Sequence, residues 1–200
     1  MRRAVALAFA LAMCIVRYWL DRLRGPMTLE RRALWLQGSA RAILKVLDIR
    51  THVEGEPPMC GLVVSNHLSY LDIIISSAAM PCFFVSKVEV DGWPFFGKAA
   101  RSGGTIFLDR SSLESANAVA EQMTERLKLP IPVLLFPEGT STDGAQVLRF
   151  HSRLIDPARP SARQLQRRRS VTSLTGAWRS ASFAGTAMRD SRRICGRCWA

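Results

Sequence analysis

An α/β fold with a largely parallel sheet is what this sequence predicts, on three observations. From Ile49 onward, short apolar runs alternate with segments of helical length. Two of those runs, 61–65 and 131–136, empty into polar turns holding histidine, acids and hydroxyls, and a parallel sheet gathers its working groups at the carboxyl ends of its strands. Two hundred residues with 48% hydrophobic content suffice for one packed domain with appendages and leave little room for a second.

In chain order, residues 1–48 read as a membrane-associating helical segment. Arg2-Arg3 precede an apolar run from Ala4 to Val16, then Arg17-Tyr18-Trp19. Thirteen residues fall short of the roughly 20 that a bilayer crossing needs. Tyr18 and Trp19 favour the lipid headgroup region, and no clean small-x-small cleavage site follows, so the expectation is a retained helix at the membrane surface, spanning if Tyr18–Leu20 join it. A signal peptide and a buried N-terminal helix are the alternatives. After Gly25-Pro26, residues 28–48 form an amphipathic pattern with Leu29, Leu34, Leu36, Ile43, Leu44 and Leu47 among basic residues. Beyond it, strands are expected at 49–54, 61–65, 82–86, 104–108 and 131–136, and helices at 69–79, 93–101 and 112–128. Ser111 with Glu114 three residues later is a capping box for the last of these helices.

Charge and cysteine content narrow the function classes. The net charge is +12, but residues 158–200 hold ten arginines and one acid, a balance of +9, which leaves +3 for residues 1–157. An anionic partner suits such a balance, yet no nucleic-acid-binding motif accompanies it, and nucleic acid is not expected as a partner. Five cysteines without framework spacing point to a reducing compartment. Cys195-Gly-Arg-Cys198 has no second pair or nearby histidine to make a metal site. There is no internal repeat, Walker A loop or dinucleotide fingerprint.

Three stretches carry chemistry. In Asn66-His67-Leu68-Ser69-Tyr70-Leu71-Asp72, a histidine follows a strand and an acid falls in the first turn of the next helix. A neutral imidazole steadied by a carboxylate is a general base for an alcohol; Ser69 and Asp72 also read as a plain capping box. In Gly104-Thr-Ile-Phe107-Leu-Asp109-Arg110, an arginine stands just ahead of a helix start, a place that suits a phosphate, or a mere surface ion pair with Asp109 or Glu114. In Phe136-Pro137-Glu138-Gly139-Thr140-Ser141, a buried strand ends in a turn that offers a carboxylate and hydroxyls. Gly139-Thr-Ser141-Thr-Asp143 lacks the second glycine of a nucleophile elbow.

These blocks, in this order, resemble the 1-acyl-sn-glycerol-3-phosphate acyltransferase (lysophospholipid acyltransferase) family, whose signatures are N-H-x-x-x-x-D, G-x-x-F-x-x-R and F-P-E-G-T. The linking text Phe84-Val-Ser-Lys87 and Gly92-Trp-Pro-Phe-Phe-Gly97 resembles the family too, so the likeness covers roughly residues 50–157. It implies a glycerolipid-acyltransferase-like sheet flanked by helices, with an acyltransferase core at 49–157. It implies transfer of an acyl chain from acyl-CoA or acyl carrier protein, as a substrate, to the free hydroxyl of lysophosphatidic acid in phospholipid synthesis, with no metal or other cofactor. His67 and Asp72 would be catalytic; Asn66, Gly104, Phe107, Arg110, Glu138, Gly139 and Thr140 would bind substrate. Membrane lipids and the lysolipid would be its partners, at the cytoplasmic face of a bacterial inner membrane. The extended Glu138–Gly144 loop is also similar to members that acylate other lysolipids, such as lyso-ornithine lipid. An inactive membrane-binding remnant and a lipid hydrolase using Ser141 are the remaining alternatives.

After Pro157 the likeness ends. Residues 158–200 are rich in Arg, Ser and Ala without a period of 2 or 3.6, and offer no strand pattern. The expectation is an out-of-frame or disordered tail that leaves a sheet edge unpaired.

Overall fold

The computed structural model of the chain describes residues 2–109, 113–141 and 165–167. Five parallel strands lie in the order β3-β2-β4-β1-β5: β1 (Leu62–Val64), β2 (Phe83–Lys87), β3 (Ile106–Leu108), β4 (Val133–Leu135) and β5 (Leu165–Arg167). Helices α1 (Arg2–Leu23), α2 (Leu29–Leu47), α3 (Leu71–Ala79), α4 (Val88–Asp91), α5 (Phe96–Ser102) and α6 (Leu113–Leu127) complete the described elements. The predicted parallel sheet flanked by helices is what forms.

Strand alternation sorts the core into two layers. Leu62, Val64, Val133, Leu135, Ile106 and Leu108 pack on Val119, Met123 and Leu127 of α6. Val63, Leu134 and Phe84 face the other way, toward Phe136, Met80, Leu36 of α2 and Ile73 of α3. Both faces are covered, which is why these strands read as continuous apolar runs rather than alternating ones.

α1 extends through Tyr18, Trp19 and Leu20 as one helix of 22 residues, about 33 Å long. By length and composition it could cross a membrane. The expectation of a helix buried in the core does not hold, since Ala10 is its one buried residue among those described. Tyr18 stands edge-on to Trp35 at 5.2 Å, Trp35 Nε1 donates to the Cys14 carbonyl at 3.0 Å, and an Arg17 guanidinium nitrogen donates to the Trp35 carbonyl at 3.3 Å.

Several sequence expectations are corrected. α2 buries Ala33, Trp35, Ser39, Ala40 and Leu44, whereas Leu34 is exposed. Small residues let α2 approach its neighbours closely, a demand that a count of leucines misses. Residues 49–54 are not a strand, although Ile49 packs in the helical core cluster. The free edge of β1 is paired instead with β5, in the register Val63↔Gln166. Thus the stretch 158–200 does contain a strand: ladder pairing uses backbone groups, and an edge position tolerates a sequence with no apolar pattern. The helix expected at 93–101 begins only at Phe96 as α5, after Pro94 and with Phe95 at φ 65° as its cap, and the short α4 ahead of Gly92 is an element the sequence reading did not expect. Ser111, the expected cap of α6, and the cysteines at 195 and 198 lie outside the described residues.

Gly104 enters β3 at φ 86°, and a Cβ there would stand 3.2 Å from the Phe83 ring carbons. Both the conformation and the contact favour glycine. Gly104→Ala is therefore expected to cost about 2 kcal/mol, seen as a lower urea midpoint with unchanged slope. An unchanged midpoint would show that this turn carries no such constraint.

Candidate active site

Parallel pairing of β1 with β4 in the register Val64↔Leu135, extended by the Ser65 N–H donating to the Leu135 carbonyl at 3.1 Å, sends the two following loops out side by side. One carries His67 and leads into the first turn of α3, which holds Asp72; the other carries Phe136, Glu138 and Gly139.

His67 Nδ1 lies 3.2 Å from Asp72 Oδ2, with the two side chains 12% and 2% exposed. An ionised carboxylate accepts only, so Nδ1 carries the proton and Nε2 the lone pair. The same Oδ2 accepts from the Leu68 N–H at 2.6 Å and the Ser69 N–H at 2.8 Å, while Ser69 Oγ accepts from the Leu71 N–H at 3.1 Å. The capping box and the His–Asp pair, alternatives in the sequence, are thus one structure. α3 begins two residues later than expected, after Tyr70.

Burial alone would raise the Asp72 pKa. The hydrogen bond with His67, the Ser69 and Leu68 N–H groups, and the attraction of the imidazole outweigh it and hold the carboxyl below its ordinary value. Asp72 therefore stays charged wherever the protein is folded near neutrality.

The imidazole is also held by its face. Phe136 stacks on it at 4.3 Å between centroids and 24° between planes, and Tyr70 stands edge-on at 6.4 Å. Glu138 is buried, and its Oε1 accepts from the His67 N–H at 3.4 Å. The Gly139 N–H donates to the Phe136 carbonyl at 3.1 Å, closing a tight turn that Gly139 permits at φ 70°. Asn66 precedes the histidine in the same loop, half-buried, and its carbonyl accepts from Ser65 Oγ at 3.1 Å. Thr140 and Ser141 are exposed at the end of the Glu138 loop, and the hydrogen bonds of His67 go to Asp72 and Glu138 rather than to Ser141.

Of the second expected block, Gly104 is not gathered here. Gly104 precedes the amino end of β3, whereas His67 follows the carboxyl end of β1, so the two lie at opposite ends of the parallel sheet. Phe107 lies within edge strand β3 under the Arg101 guanidinium, which is 5.9 Å from its ring centroid. Arg110 lies outside the described residues. Phe136, Tyr70 and Trp93, whose ring is 5.5 Å from that of Tyr70, surround the site without having been singled out as site residues. Their one signal in the sequence was aromatic density at the ends of the motifs. Among the described residues, no group of three or more His, Cys, Asp or Glu side chains could hold a metal ion.

The family model described as Acyltransferase matches residues 50–164. A lyso-ornithine lipid O-acyltransferase of Rhodobacter capsulatus is 44% identical over 115 residues, 57% of this chain and 41% of that protein. A lyso-ornithine lipid O-acyltransferase of Pseudomonas aeruginosa is 34% identical, covering 72% of this chain and 48% of the relative. A 1-acyl-sn-glycerol-3-phosphate acyltransferase of Neisseria meningitidis is 33% identical, covering 73% and 61%. The chain thus spans about half the length of these curated relatives. In fold it is similar to the crystal structure of the 1-acyl-sn-glycerophosphate acyltransferase of Thermotoga maritima, with a TM-score of 0.57, 20% identity, and coverage of 79% of this chain and 65% of that one.

Removing the carboxylate strands two backbone donors as well as the imidazole. Asp72→Ala is expected to lose about 3 kcal/mol of stability at pH 7. A carboxyl whose folded pKa is depressed stabilises above its unfolded value, so the gap between wild type and variant should shrink as pH falls below about 4. Denaturant titrations at pH 7 and at the acid end measure this; a gap that widens with acid would contradict it.

Proposed function

We propose, from the premise that this chain belongs to the acyltransferase family, that it transfers a fatty acyl chain from a thioester donor to the free hydroxyl of a lysolipid at a membrane surface. The observation that carries the reading is the His67–Asp72 pair at 3.2 Å at the carboxyl end of β1, which leaves Nε2 as the basic nitrogen. The acceptor hydroxyl gives its proton to Nε2 as its oxygen attacks the thioester carbonyl carbon. The carbon–sulfur bond then breaks, and the imidazolium returns the proton to the departing thiolate. Asp72 remains ionised and holds the ring; no acyl-enzyme is required, and Ser141 has no part. Acyl-CoA or acyl carrier protein supplies the thioester as substrate. Asn66, Glu138, Gly139 and Thr140 line the acceptor side, with Arg110, Phe107 and Gly104 assigned to it by motif.

Lysophosphatidic acid is the acceptor that the arginine-bearing block favours. A second reading, lyso-ornithine lipid, is favoured by the 44% and 34% identities to proteins so named. Both offer a hydroxyl to the same base.

The bilayer contact is assigned to α1, whose Phe9, Met13, Val16, Trp19 and Leu20 are exposed. α2 packs on α1 and carries Arg31, Arg32, Arg41 and Lys45, so a crossing α1 would draw charges into the hydrocarbon. A hairpin lying in the headgroup region avoids that cost. The cytoplasmic face of a bacterial inner membrane is the assigned location.

His67→Ala should cut acyl transfer at least a hundredfold in a vesicle assay with radiolabelled acyl-CoA or acyl carrier protein. Parallel assays with lysophosphatidic acid and lyso-ornithine lipid name the acceptor. Turnover by the variant equal to wild type would sink the reading. Replacing Phe9 and Leu20 together by aspartate should lower partition onto vesicles, since each buried apolar side chain contributes about 2 kcal/mol; unchanged sedimentation with vesicles argues against α1 as the contact.

A further inference from the structure

His67 is held by two neighbours of different kinds. Asp72 fixes the imidazole through its edge, by hydrogen bonding, whereas Phe136 covers its face at 4.3 Å and 24°. Phe136 in turn neighbours Phe84, whose ring is 6.3 Å away and 19° from parallel. Phe84 and Phe136 are 4% and 9% exposed, which leaves the Phe136 ring little freedom to tilt. The backbone fixes Phe136 as strictly. It follows β4 directly, and the next residue is the fully buried Pro137, which confines its predecessor to extended geometry. Nothing in the acid–base step itself demands an aromatic residue here; a leucine would fill the same apolar space.

What an aromatic ring adds is charge discrimination. Its face carries negative quadrupole density, so it attracts an imidazolium more strongly than a neutral imidazole. In the acyl-transfer cycle the imidazole is neutral before the hydroxyl proton moves and cationic afterwards. An interaction that strengthens as that proton arrives lowers the barrier, whereas one equal in both states would not. We propose that Phe136 is a positioning residue for His67, its ring face fixing the imidazole plane and favouring the imidazolium formed when the acceptor hydroxyl gives up its proton. The assignment rests on the acyl-transfer reading above.

The test separates this role from mere packing. Phe136→Leu keeps apolar bulk and loses the ring face; its kcat should fall about tenfold with KM changed less than twofold. Phe136→Tyr and Phe136→Trp should restore most of the loss. A Phe136→Leu enzyme with wild-type kcat, while His67→Ala is inert, overturns the proposal and leaves the acyl-transfer reading standing. A loss that no aromatic replacement restores also overturns it. Turnover by His67→Ala equal to wild type removes the acyl-transfer reading itself, and the role assigned to Phe136 with it. A second measurement needs no variant at position 136 to fold. In the wild-type chain in detergent micelles, the His67 ring protons, identified among the three histidines by their loss in His67→Gln, should show the upfield ring-current displacement of a stacked imidazole. Ring protons at ordinary positions would show that the stack is absent in solution and overturn the proposal.

Discussion

Pairing of Leu62–Val64 with Val133–Leu135 is the constraint from which the site follows. Parallel strands in one register deliver their carboxyl-end loops to the same place, so the residue after Leu135 meets the loop after Val64. That adjacency sets Phe136 against His67 and brings the Glu138 carboxylate to the His67 backbone. A slip of one residue would turn Phe136 to the α6 side of the sheet and remove its stack on His67. The core enforces the register from both faces, because Leu62, Val133 and Leu134 have no exposed alternative. Core packing and site geometry are consequently a single requirement on β1 and β4.

Asp72 binds local folding to chemistry in a similar way. Its Oδ2 closes the start of α3 through two N–H groups and orients the imidazole through a third contact. One charge that both caps a helix and orders a ring needs less supporting structure than two separate devices. The same economy makes the arrangement fragile to acid, since protonation would weaken all three hydrogen bonds together. Within the proposed mechanism, a depressed carboxyl pKa also keeps the proton on the imidazole once it arrives, rather than letting it pass to Asp72.

The sequence was most legible where one element makes its contacts with its own neighbours in the chain. The apolar runs at 61–65, 82–86 and 131–136 were strands because burial on both faces leaves a continuous signature, and the spacing of His67, Ser69 and Asp72 is local. Legibility failed where the partner is distant. Residues 165–167, not 49–54, form a strand, and their backbone pairing with an edge of β1 leaves almost no trace in side-chain pattern. The burial of Ala33 and Ala40 on α2 is decided by how closely other helices approach. Phe136 was visible as part of a motif, yet its stacking on His67 depends on strand register, which no count of spacings contains. Gly104 belonged to a motif as well, and its position is explained by φ 86° and the Phe83 ring at the far end of the sheet.

The helical hairpin bears on the site through its packing. Trp35 is anchored to α1 by the Cys14 carbonyl and the Tyr18 ring, and further along α2 Ala40 and Leu44 pack with Ala78 of α3, the helix that Asp72 starts. The exposed apolar side of α1 is therefore joined to the His67 loop by two packed helices rather than by a flexible linker. For a proposed substrate confined to a lipid surface, a rigid connection of this kind fixes the height of the base above the headgroups. A loose tether would localise the chain yet leave the acceptor hydroxyl to find His67 by search. Tyr70 and Trp93, exposed beside that histidine, give the mouth of the site the same amphipathic chemistry as Trp19 on α1, so the hairpin and the site entrance suit one interface.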